Sequence, residues 1–209
     1  MIEVTGKEQQ QAWAEGRLPA VEPVRPGLWS IPVPIPISPL RYVLVYAFEL
    51  ADGVAIVDAG WDTSEAWDAL VAGLRVAGCA PSDVRAVLVT HIHPDHYGLA
   101  GRVREASGAW VGLHPADAAL LDDRYRTPDE LIDRMKWLLE ECGVPDDVAS
   151  DLSQASMPIR QFVAFSPPDV LLEEGDRPEL GRWDLQAVWT PGHSPGHLCF
   201  DERRLRLLL

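Results

Sequence analysis

The sequence predicts an α/β fold in which mixed sheet is covered by helices. Three observations carry this expectation. Two apolar, β-rich runs at 43–50 and 54–58 flank Ala51-Asp52-Gly53, and an Asp-Gly pair supplies the positive-φ turn of a hairpin. Helix-like and strand-like patterns then alternate as far as residue 113, the order expected when strands lie side by side with helices packed over them. After a helical stretch, the pattern returns to β from Val170 onward.

The elements follow in order. Residues 1–27 read as a lead-in, a short polar helix and then a Pro-rich approach. Residues 28–40 contain Pro32, Pro34, Pro36 and Pro39 in near alternation, which disfavours a central strand and favours an edge or polyproline-like path. That stretch is either a rigid connector or an apolar rim beside a pocket. Thr63 is a candidate N-cap, Trp67, Leu70, Val71 and Leu74 repeat at helical spacing, and Gly78 ends that helix. A buried strand is expected at 86–90, a helix reaching 107, and a further strand at 110–113. Residues 115–166 read as a helical insert. One helix starts near Pro128 and carries Leu131, Met135, Leu138 and Leu139; another covers about 146–155. The insert is a packing layer or a lid, with Met135 and Trp137 as core residues or pocket walls. Strands are expected at 170–172, 183–189 and 198–200, then a turn at 201–204 and a terminal apolar run.

Composition narrows the function classes. The chain has 209 residues, of which 47% are hydrophobic, enough for a folded core rather than a disordered chain. Acidic residues number 32 against 18 basic, a net charge of −14, which argues against nucleic acid and anionic membranes as partners. Cys79, Cys142 and Cys199 are few and widely spaced, so neither a disulfide framework nor a cysteine zinc site is expected. The first residues lack the apolar core of a signal peptide, and no run of about 18 apolar residues suggests a spanning helix. A reducing cytoplasm is the expected location. The oligomeric state is open.

The chemistry concentrates in His91-Ile92-His93-Pro94-Asp95-His96, directly after the apolar run 86–90. In an extended chain, side chains at i and i+2 point to the same side, so His91 and His93 can aim at one point. Pro94 pre-sets φ for a helix start, which places Asp95 and His96 in its first turn. Imidazoles and a carboxylate in this pattern suit one or two borderline metal ions. A catalytic metal needs ligands from more than one segment, and Thr190-Pro191-Gly192-His193-Ser194-Pro195-Gly196-His197 supplies a second, again after a strand. The six histidines all fall in these two segments or, for His114, at a strand end.

These two segments, with Val57-Asp58-Ala59-Gly60 upstream, resemble the metallo-β-lactamase superfamily, most of all its hydroxyacylglutathione hydrolase (glyoxalase II)-like branch. The resemblance covers residues 28–209, taken as one domain with 115–166 as decoration. It implies an αββα sandwich of mixed sheets. It also implies that His91, His93 and His193 hold a first metal and that Asp95 and His96 hold a second. Asp58 would support the metal loop, with His197 structural or beside the ligands. The implied ion is zinc, one or two per chain, with iron or manganese as alternatives. The implied activity is hydrolysis of a small acyl ester or thioester by metal-activated hydroxide, with Asp95 orienting the nucleophile.

One departure from the family stands out. The family's bridging aspartate and last histidine ligand follow one strand beyond the second histidine segment, and neither has a counterpart before Leu209. The expectation is a C-terminally truncated form lacking the last part of the second half. Its first metal site keeps three histidines, and its second binds weakly. The alternatives are a mononuclear iron oxygenase of the persulfide-dioxygenase kind and an inactive ligand-binding remnant.

Overall fold

Strand formation follows the apolar runs. In the computed structural model, which describes residues 7–36, 39–155 and 157–209, seven strands form one sheet in chain order. They are β1 (Glu22–Arg25), β2 (Leu28–Pro34), β3 (Tyr42–Glu49), β4 (Val54–Val57), β5 (Val84–Leu88), β6 (Trp110–Leu113) and β7 (Val170–Leu171). The first four pair antiparallel, and β4 to β7 pair in parallel. A second, antiparallel sheet holds β8 (Leu185–Trp189), β9 (Leu198–Glu202) and β10 (Leu207–Leu208), with β9 in the middle. The mixed sheet expected from the sequence is therefore present, accompanied by a second sheet that is antiparallel only.

The helices are α1 (Lys7–Glu15), α2 (Ser64–Val76), α3 (Pro94–Tyr97), α4 (Ala100–Ser107), α5 (Pro115–Ala118), α6 (Leu121–Tyr125), α7 (Asp129–Glu141) and α8 (Asp146–Gln154). Thr63 caps α2, its side chain accepting from the Ala66 N–H. None of the described helices is long and apolar enough to cross a membrane.

Strand alternation splits the core in two. Val54 and Ile56 of β4, with Val84 and Val87 of β5 and Val111 and Leu113 of β6, face a helical layer carrying Leu70, Leu74, Tyr97 and Val103. Ala55, Val57, Ala86 and Leu88 face the second sheet, where Leu185, Ala187, Leu198 and Phe200 close the other core. The central strands are thus buried on both faces, which is why their sequences are nearly unbroken apolar runs. The far face of the second sheet bears Gln186, Val188, Cys199 and Asp201, all partly exposed. The described residues thus build three layers of the expected sandwich.

Two expectations need correction. The Pro-rich stretch is an edge only in part: β2 pairs with β3 along its whole length, and its first half is also covered by β1. The prolines are tolerated because β1 reaches only to Ser30. The Ile35 N–H donates to Arg41 O, on the β3 side, so Ile31 and Val33 point the same way. Pro32 and Pro34 therefore point to the side left open beyond β1, where no donor is needed. Ile37 and Ser38, like residues 1–6, lie outside the described residues. The second correction is the last turn: β9 runs through Asp201 and Glu202, which pair with β10, so the turn falls later.

Candidate metal centre

The first histidine loop leaves β5 at its C-terminal end, where parallel strands commonly present ligands. Its footing is Asp58, in the left-handed region at φ 63° just after β4. Asp58 is buried, and its carboxylate accepts from the Thr90 N–H (2.8 Å) and from the Thr90 hydroxyl (3.0 Å). Thr90 Oγ1 also lies 3.0 Å from His91 Nδ1. With the hydroxyl proton directed at Asp58, His91 Nδ1 is the donor and Nε2 carries the lone pair. That Nε2 is buried and has no hydrogen-bond partner among the described residues, on a residue only 2% exposed. An orphaned, buried lone pair is costly unless something else takes it up.

His93 sits one residue before α3 with extended backbone (φ −65°, ψ 149°), and Pro94 opens the helix as its spacing predicts. His193 comes from the second loop, and its Nε2 lies 3.0 Å from His93 Nδ1. The ring centroids of His91, His93 and His193 stand 4.7, 4.7 and 4.6 Å apart. One ring nitrogen from each lies within 4.8 Å of the others, a group that could hold a metal ion. Burial, followed by the crowd of neighbouring imidazoles, pushes His91 well below the ordinary imidazole range. Burial and then the Arg124 charge bring His93 down to about 4. Both rings are therefore neutral at neutral pH, the form that donates a lone pair to a metal.

Asp95 and His96 lie beside this triad but are engaged elsewhere. His96 Nδ1 is 2.7 Å from Asp58 Oδ2, and its Nε2 is 3.3 Å from Asp95 Oδ2. Burial alone would lower His96, but the charge and hydrogen bond of Asp58, then those of Asp95, raise it to about 10. Burial likewise works to raise Asp95, and the hydrogen bond and charge of His96 override it, leaving it below the usual carboxylate range. Without a metal, His96 is thus an imidazolium held between two carboxylates.

His197 lies at the rim. Its Nδ1 is 2.8 Å from Thr190 Oγ1, and its ring is 5.1 Å from that of His91. His114 is a satisfied strand-end histidine: its Nδ1 accepts from the Ala116 N–H, and its ring stacks on Trp189 at 5.1 Å.

Read from sequence, several supporting residues have no part in holding the histidine loops, and Tyr125 is only one of the insert's aromatic residues. Thr90 ties Asp58 to His91. Tyr125, in α6, donates its hydroxyl to Ile92 O at 2.6 Å, between the two ligand histidines of the first loop. Asp117, in α5, reaches both histidine loops. An aspartate in a first helical turn reads from sequence as an ordinary helix-start acid, so nothing flagged it. The insert also grips the site at its far end, where Phe162 packs on Trp61 at 4.7 Å and the Ala164 N–H donates to Gly98 O. Met135 and Trp137 are not core residues. Both are exposed on α7, the helix that packs against α8.

Comparison with known proteins adds ancestry. A sequence profile described as the Metallo-beta-lactamase superfamily matches residues 38–209. An acyl-coenzyme A thioesterase, MBLAC2, of Gallus gallus is 32% identical over 165 residues, covering 73% of this chain and 50% of that protein. A hydroxyacylglutathione hydrolase of Cereibacter sphaeroides is 28% identical over 157 residues, covering 74% of this chain and 42% of that protein. The crystal structure of a metallo-beta-lactamase family protein from Thermus thermophilus superposes with a TM-score of 0.78 at 33% identity, covering 90% of this chain and 59% of that one. The chain thus spans about half the length of these relatives.

Proposed function

Since the chain belongs to the metallo-beta-lactamase superfamily, we propose that it is the metal-binding part of a hydrolase acting on a small acyl thioester or ester. The observation that carries this reading is the triad of His91, His93 and His193 around the orphaned Nε2 of His91. Three imidazoles with no thiolate among them suit zinc, with iron or manganese the alternatives. A divalent ion held there supplies Lewis-acid polarisation of a carbonyl and acidification of water.

The remaining roles belong to the chain. Asp58 and Thr90 orient His91 so that Nε2 faces the triad. Asp95, its carboxylate kept ionised beside His96, is the group placed to orient a water nucleophile and accept its proton. Asp95 and His96 are also the proposed ligands for a second ion, which would have to displace the His96 proton. His197 braces the rim through Thr190.

Similarity to an acyl-coenzyme A thioesterase and to a hydroxyacylglutathione hydrolase supports a thioester over other acyl bonds. The glyoxalase II-like branch is the narrower form of that reading. The charge of −14 supports a small-molecule substrate over nucleic acid or an anionic membrane. Three free thiols support a cytoplasmic location. The test is a panel of acyl-coenzyme A, glutathione thioester and lactone substrates with zinc-loaded protein carrying the full length of its relatives. Thioester turnover that chelation abolishes and zinc restores is the expected result. Oxygen uptake by an iron-loaded form, without thioester turnover, would overturn it.

A further inference from the structure

We infer that Asp117 is a positioning residue that locks the two histidine loops together before any metal arrives, so that His193 already stands against His91 and His93. This rests on reading those three histidines as metal ligands. Asp117 is fully buried in the first turn of α5. Its Oδ2 accepts from the Ile92 N–H at 2.9 Å and from the Ser194 hydroxyl at 2.8 Å. Its Oδ1 accepts from the Gly196 N–H at 2.7 Å. Ile92 lies between His91 and His93, Ser194 directly follows His193, and Gly196 directly precedes His197. One carboxylate therefore takes donors from both loops.

The residue type matters. A carboxylate is acceptor only and has room for all three donors, whereas an asparagine would turn an N–H₂ toward at least one of them. A buried carboxylate is strongly unfavourable unless hydrogen-bonded, so its presence here ties the fold of this corner to the meeting of the loops. The fit is close. A Cβ on Gly196 would stand 2.7 Å from both Asp117 Cγ and Asp117 N, so the second loop lies flush against the start of α5. His193 needs this brace because it is exposed and its side chain bonds to His93, itself a ligand. A backbone contact, from the Leu198 N–H to Thr90 O at 2.8 Å, also joins the two segments.

The experiment uses the whole chain, metal-free and then titrated with Co²⁺. Variants are Asp117→Asn, Asp117→Ala, the milder Ser194→Ala, and Leu74→Ala as a control that destabilises the distant α2 core. Residue-resolved amide exchange in the metal-free protein reads the lock directly. Co²⁺ affinity by chelator competition, with the visible spectrum of the bound ion, reads its consequence. Asp117→Asn is expected to lose at least tenfold in protection at Gly196 and about 10- to 100-fold in Co²⁺ affinity, with a spectrum altered from wild type. Ser194→Ala should show a smaller loss of the same kind and serves if both Asp117 variants fail to fold. Leu74→Ala should keep the affinity and spectrum of wild type. Wild-type protection at Gly196 in Asp117→Asn overturns the inference. So does a loss of affinity no larger than that of Leu74→Ala. A wild-type chain that takes up no Co²⁺ would overturn the metal reading instead, and the exchange measurement alone would then decide on the lock.

Discussion

The two histidine loops reach the same point by different means. The first grows from the buried parallel strands β4 and β5, and its shape is fixed on several sides at once. Asp58 and Thr90 hold its base, Tyr125 holds its middle, and α3 follows at once. Its leading histidine is buried. The second loop leaves an antiparallel strand of the smaller sheet. Pro191, Gly192, His193 and Pro195 are all exposed, and the buried anchor of the loop is Asp117, which takes the Ser194 hydroxyl and the Gly196 N–H. The difference teaches that one metal ligand is placed by the core itself, and another by a bracket added to it. Changes in the first loop should therefore disturb both stability and metal binding. Changes at the tip of the second should disturb metal binding alone.

Replacing the ligands tests this contrast with the largest effects. His91→Ala and His193→Ala should each lower zinc affinity by more than the roughly 100-fold expected for loss of a supporting partner. In the metal-free chain they should part company. His91→Ala removes a buried ring and the Thr90 partner, and should destabilise by about 1–3 kcal/mol. His193→Ala should stay within about 0.5 kcal/mol of wild type, as exposed substitutions do. Urea denaturation with chelator present measures this, and equal destabilisation by both would end the contrast. Asp58→Asn comes next. Asparagine also tolerates the left-handed backbone, so the effect isolates the carboxylate. Thr90 and His96 lose an ionised acceptor, and the expected loss is about 1–2 kcal/mol of stability with about tenfold in zinc affinity.

How far the sequence disclosed all this also differs between regions. The parallel strands were readable because burial on both faces leaves an unbroken apolar run that only a covered sheet explains. The first loop was readable because its ligand types sit within a few residues of each other. The strand β2 was readable only in part because proline removes a donor from one side only, and which side is free depends on how far β1 extends. Asp117 was hidden for a related reason: its partners lie 25 and 79 residues away. No local pattern marks a residue whose work is to join two distant loops. Asp58 stood out only through family likeness, since a single aspartate after a strand otherwise reads as a turn residue.

Tyr125→Phe probes the middle of the first loop more gently. It leaves Ile92 O without its hydroxyl donor and should lower stability by about 1 kcal/mol. Zinc affinity should change less than in Asp58→Asn, because Tyr125 touches the backbone between the ligands rather than a ligand's own partner. A larger affinity loss than Asp58→Asn would place the main support of this loop in the insert rather than in the sheet.

The smallest effect is expected at Trp137, and it tests whether the insert behaves as one body. Its ends grip the site through Tyr125 and Phe162, but α7 between them buries no residue fully. Trp137 is 59% exposed, so its side of α7 meets solvent. Trp137→Ser should therefore change stability by no more than about 0.5 kcal/mol and leave zinc affinity untouched. A tryptophan that is covered in solution would behave otherwise, because removing a buried aromatic ring costs about 3–5 kcal/mol. Thermal melts at two protein concentrations separate the cases. If Trp137 is buried by self-association, the wild-type Tm will rise with concentration and the variant's will not. A concentration-independent loss above about 1 kcal/mol would instead mean that α7 packs on its own chain through this face, and the insert would then share the rigidity of the first loop.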